Sequence, residues 1–88
     1  MNKNLNDRLF EFAVNVLKFL PKLPKTAEMN VVRYQLAKSS SSSGVNYWLR
    51  IIKSTLNDNK LNEDLNYLID ESGQLKKILG SIVTKTNK

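Results

Sequence analysis

The last third of the chain carries Leu61, Leu65, Leu68, Ser72, Leu75, Leu79 and Ile82 at steps of four and three without a slip. Only a helix returns side chains to one face at that spacing, and so regular a seam asks for other helices to pack against. A strand would alternate every second residue instead. Glu63, Asp64, Asp70 and Glu71 fall in the first half of this segment and Lys76, Lys77, Lys85 and Lys88 in the second, the order that the helix dipole favours. The polar stretch STLNDNKLN before it reads as a loop, with Asn59 or Asn62 as the cap.

The N-terminal segment has the same period. Leu5, Leu9, Phe10, Ala13, Val16, Leu17 and Leu20 predict one buried face, with Asn4 or Asn6 as cap. Phe12, Val14 and Phe19 lie off that stripe, so the helix is apolar around more than half its circumference and should meet more than one neighbour. LPKLPK ends it, because Pro21 and Pro24 each remove an amide donor and push the preceding residue out of helical geometry.

Thr26 is placed to cap a second helix, with Glu28 in its first turn. Met29, Val32, Leu36, Ser39 or Ser40, Ser43, Tyr47 and Ile51 continue at helical steps straight through SSSSSG. Serine costs a helix interior only about 0.5 kcal/mol and glycine about 1 kcal/mol relative to alanine, so the pattern predicts one long helix across the serines. The expected fold is all-α: a single domain over residues 1–88, an antiparallel helical bundle of three helices, about 6–20, 27–55 and 61–84, completed by self-association. In that bundle the first and third helices run the same way. Lys18, Lys22 and Lys25 then gather with Lys85 and Lys88 at one pole, near Lys76 and Lys77, as the candidate phosphate-binding surface. Lysines at helix ends and in a turn suit the same pattern without a ligand.

Catalytic chemistry has little to work with. The 88 residues contain no histidine and no cysteine, which removes the commonest general base, the commonest metal ligands and any disulfide. SSSSSG lacks the GK[ST] ending of a phosphate-gripping loop, and the acids match no calcium loop. Tyr34, Tyr47, Trp48 and Tyr67, at helical spacing beside leucines, read as core, Trp48 above all. No enzyme activity, cofactor, metal or small-molecule substrate is expected. The absence of cysteine suits a reducing cytoplasm, and no apolar run approaches a membrane span or a signal-peptide core. The net charge of +6, mostly from lysine, suits nucleic acid or an anionic membrane surface, and suits a solvated, lysine-rich surface with no partner equally well.

DRLFEFAVNVLKFLPKLPKT (residues 7–26) and VVRYQLAKSSSSSGVNY (residues 31–47) carry a further pattern: Asp7, Phe10, Phe12, Leu23–Pro24–Lys25, Gln35–Leu36, then Gly44, Asn46 and Tyr47. In this order they resemble the first helical hairpin of the small four-helix-bundle proteins encoded in intervening sequences of bacterial 23S ribosomal RNA genes. YWLRIIKSTL and the leucine seam are similar to the end of that family's third helix and its fourth. About thirty residues between the two motifs are missing, the length of a long bundle helix and its turn, with Tyr47 serving both. The resemblance implies a shortened member in which the second helix is fused to the stub of a third. It also implies RNA or a ribonucleoprotein as partner, since relatives include basic, ring-forming accessory proteins that assist reverse transcriptases. The alternative is a structural homo-oligomerisation module with no nucleic-acid role.

Overall fold

In the computed structural model, residues 4–86 are described, with side chains as far as Ile82. Helix α1 spans Leu5–Phe19, a single 3-10 turn spans Leu20–Lys22, and α2, α3 and α4 span Ala27–Lys38, Ser42–Thr55 and Asn59–Thr86. The fold is all-α, and no strand occurs among the described residues. Asn4 caps α1 by accepting from the Asp7 amide, and Thr26 caps α2 by accepting from the Met29 amide at 3.2 Å. Asp58, not Asn59 or Asn62, caps α4: its carboxylate accepts from the Lys60 amide at 2.9 Å. The guanidinium of Arg33 closes the proline turn by donating to the Leu20, Leu23 and Pro24 carbonyls at 3.3, 2.9 and 3.2 Å. The Leu20 carbonyl also accepts from the Leu23 amide at 3.2 Å, while the Leu23 and Pro24 carbonyls follow the helix end without a helical donor.

The expected long second helix does not form. Ser39 leaves the α region (φ −65°, ψ 125°), and Ser41 stands in extended geometry (φ −129°, ψ 153°) as the cap of α3. Both serines bond locally. The Ser39 hydroxyl donates back to the Gln35 carbonyl at 3.0 Å, and the Ser41 hydroxyl accepts from the Gly44 amide at 3.1 Å. Serine's side chain competes with the helical ladder in this way, and caps reward it more than a helix interior does. The break also re-phases the chain. A straight helix would aim Tyr47 and Ile51 along the seam of Met29, Val32 and Leu36, whereas α3 buries Val45, Leu49 and Ile52 and leaves Tyr47 exposed.

Four helices therefore replace three, each antiparallel to the next. Arg8 meets Glu71 while Lys22 meets Asp64, so α1 and α4 run in opposite directions. Asn46 meets Ser72 while Lys53 meets Asn66, which sets α3 antiparallel to α4. α3 and α4 form the most extensive contact, α1 packs on α4 and α2 on α3, and α1 and α2 approach each other less closely. The result is a slab of 45 × 30 × 18 Å. Its core joins Phe12, Val16, Phe19, Leu36, Leu49, Ile52, Leu65, Leu68 and Leu75. On α1 the buried face is thus the one holding Phe12 and Phe19, and the expected core residues Phe10 and Leu17 face outward. A helix apolar on both sides gives the sequence no means of choosing between them.

One polar group crosses the core. The Asn46 amide donates to the Ser72 hydroxyl at 2.9 Å and to the Ile69 carbonyl at 3.1 Å, and Ser72 donates to the same carbonyl at 3.0 Å. Both side chains are buried and satisfied. Ser72 interrupts the leucine seam because Asn46 sits opposite it.

Candidate anion-binding surface

The direction of α4 decides where the lysines go. Because α4 runs against α1, the C-terminal end of α1 lies beside the start of α4, not its end. Lys18, Lys22 and Lys25 are therefore separated from Lys76 and Lys77, and no single pole unites these five lysines. From residue 64 to residue 77 the helix rises about 20 Å at 1.5 Å per residue. The side chain of Lys85 and the whole of Lys88 lie outside the described residues.

At the first end, Lys18 and Lys22 project from successive turns of the α1 end and line a groove of about 270 Å³ with Asn15, Phe19, Asp64 and Tyr67. Lys22 Nζ is 2.8 Å from Asp64 Oδ2, both side chains about half exposed, so the pair is screened and worth well under about 1 kcal/mol. It nonetheless neutralises one of the two groove cations. Lys25 is exposed in the turn that follows. Asn15 and Tyr67 belong to this groove although nothing in the sequence sets them beside Lys18. Their meeting depends on the antiparallel crossing of α1 and α4. Tyr67, like Tyr34 and Tyr47, is more than half exposed rather than in the core, while Trp48 is half-buried with its ring edge-on to Tyr47 at 5.5 Å.

At the other end, Arg8 grips Glu71 through two hydrogen bonds, Nε to Oε2 at 3.2 Å and Nη2 to Oε1 at 2.9 Å, and reaches Gln74 Oε1 at 3.2 Å. The hydrogen bonds and the charge of Glu71 raise the Arg8 pKa above its ordinary value. Glu71 is the last acid in the chain. Beyond it α4 continues to Thr86, and its burial fades: Leu75 is fully buried, Ile78 and Leu79 are half-buried and Ile82 is exposed. Counting from Arg8 opposite Glu71 and Asn46 opposite Ser72, the first residues of α1 and α3 reach only to about residues 74 and 76 of α4, so its last ten or so residues rise about 15 Å beyond them. Lys76 and Lys77 stand exposed at the base of this projection.

Among the described residues no group of three or more acidic, histidine or cysteine side chains is placed to hold a metal, and no helix is long and apolar enough to cross a membrane. No protein-family model, curated protein or solved structure matches the chain. The likeness to the intervening-sequence bundles rests on the quoted motifs alone.

Proposed function

We propose that this chain is a small RNA-binding or ribonucleoprotein accessory that holds phosphates with the lysines at the C-terminal end of α4. The observation that carries the reading is a charge imbalance. Residues 72–88 hold Lys76, Lys77, Lys85 and Lys88 and no acid, so they contribute +4 (4 − 0) of the net +6. Lys76, Lys77 and Lys85 ride on a helix that extends past the body of the slab, away from Asp64 at the opposite end. Lysine contacts phosphate as a point charge without reading bases, so binding through this segment is salt-sensitive and weak in sequence preference. The motif resemblance to proteins encoded within ribosomal RNA genes points the same way. Lys18, Lys22 and Lys25, of which Lys22 is neutralised by Asp64, form a secondary patch.

Fluorescence anisotropy with a labelled single-stranded RNA tests the reading. Binding is expected at low salt, with log K falling against log salt, and Lys76→Glu/Lys77→Glu should make that slope shallower by about 1.4, or about 0.7 for each phosphate no longer neutralised. No binding at low salt, or an unchanged slope in the double variant, removes the proposal.

A further inference from the structure

We infer that two copies of this chain associate through the outer face of α1, antiparallel about a two-fold axis beside Ala13 and Val14. α1 has two apolar faces, and α4 covers only one. Phe12, Val16 and Phe19 are buried, whereas Phe10 and Leu17, at 71% and 63% exposure, stand with Ala13 and Val14 on the opposite side at steps of three and four. Along one edge of this face α1 parts from the α2–α3 junction to leave an apolar groove of about 270 Å³, walled by Leu9, Ala13, Leu17, Leu36, Ala37 and Val45.

Symmetry and charge select a second copy as the occupant. Antiparallel pairing about the midpoint of residues 13 and 14 sets residue i against residue 27 − i. Phe10 then meets Leu17 of the second copy, beside the mouth of its groove, and Ala13 meets Val14. Asp7 and Lys18 flank the same edge of the apolar face, because eleven residues are about three helical turns. In the antiparallel pair Asp7 of one copy comes within two residues, about 3 Å along the axis, of Lys18 of the other. Neither has an ion-pair partner among the described residues. A self-complementary patch of this kind closes as a two-fold dimer and goes no further.

The size of the face sets the strength. A whole aromatic side chain buries about 150–250 Å², so the exposed parts of Phe10, Leu17, Ala13 and Val14 with the groove rim supply about 400–500 Å² per copy. Two copies reach about 800–1,000 Å², within the class of weak, reversible complexes. The dimer is one of micromolar dissociation constant or weaker.

Sedimentation equilibrium of the full chain, from low micromolar to near-millimolar concentration, tests this. The mass is expected to rise from 10.1 kDa towards twice that value. Phe10→Glu and Leu17→Lys, each checked by circular dichroism for unchanged helix content, should weaken association at least about tenfold. Asp7→Lys should weaken it as well, and Asp7→Lys combined with Lys18→Asp should restore it. A chain that stays at 10.1 kDa at the highest concentration overturns the inference. So does a dimer or larger assembly indifferent to Phe10→Glu, which would place the contact on another face.

Discussion

Replacing Ser40 by proline separates a broken from a continuous helix by sign as well as by size. Ser40 is exposed, and its amide donates to no backbone carbonyl among the described residues. The residue before it is already in the extended geometry that a following proline requires, Ser39 having φ −65° and ψ 125°. Proline there removes no hydrogen bond and restricts the unfolded chain, so the variant should match the parent or gain about 0.4–1 kcal/mol. In a continuous helix the same change would delete a ladder bond and clash with the preceding turn, at a cost of about 3 kcal/mol. That is a large share of the 4–13 kcal/mol or so expected for a chain of this length. Ser41→Ala gives a second reversal. It loses the cap on the Gly44 amide and should cost about 1 kcal/mol, whereas within an uninterrupted helix alanine would gain about 0.5 kcal/mol. Urea unfolding followed by far-ultraviolet circular dichroism measures both. A loss above about 2 kcal/mol for the proline variant, or a stabilised Ser41→Ala, would refute the break and with it the antiparallel placement of α1 and α4.

The same assay reaches the core. Asn46→Ala removes two hydrogen bonds in a buried site and should cost about 2–3 kcal/mol, whereas Asn46→Leu with Ser72→Ala, which leaves no polar group unpaired, should cost about 1 kcal/mol or less; equal costs would mean that the Asn46–Ser72 bond is not formed. Leu49→Ala, at a position with no exposure between α3 and α4, should cost about 2–5 kcal/mol, and a loss below about 1 kcal/mol would contradict its place in the core.

Much of the architecture was legible where a residue acts alone on its own backbone. Asn4 and Thr26 cap as their side chains dictate, the prolines stop α1, and the seam from Leu61 to Leu75 is buried as its period requires. The serine run was not legible in the same way. Its cost within a helix is small, and what outweighs the ladder is a pair of specific bonds, Ser39 to Gln35 and Ser41 to Gly44, that composition does not announce. Every misplaced site residue follows from that one junction. Reading residues 27–55 as a rod sets the last helix parallel to the first and brings Lys18, Lys22 and Lys25 to the C-terminal lysines, whereas one reversal of direction at Ser39–Ser41 sets them apart from Lys76 and Lys77. The face of α1 was legible in part: Leu5, Leu9, Val16 and Leu20 pack in or against the core as expected, but Phe10 and Leu17 satisfy the helical period as well as Phe12 and Phe19 do, and only the position of α4 decides between them.

The division of charge has a consequence for how the two proposed surfaces relate. Lys18 serves the dimer edge near the C-terminal end of α1, and Lys76 and Lys77 stand at the opposite end of the slab, where α4 outruns α1 and α3. The outer face of α1 points away from Phe12 and Phe19, which rest on the α4 side, so a second copy seated there does not cover the end of α4. The two-fold axis runs across α1 and reverses its direction, which sends the two α4 projections to opposite ends of the dimer. A single RNA strand long enough to touch both would gain avidity from dimerisation, while a strand only a few nucleotides long would not. RNA length thus distinguishes the two surfaces acting together from either acting alone. Phe10→Glu should leave the affinity for a short strand unchanged and reduce the affinity for a long one, because Lys76 and Lys77, the lysines at the heart of the proposed RNA surface, lie on α4 and Phe10 on α1.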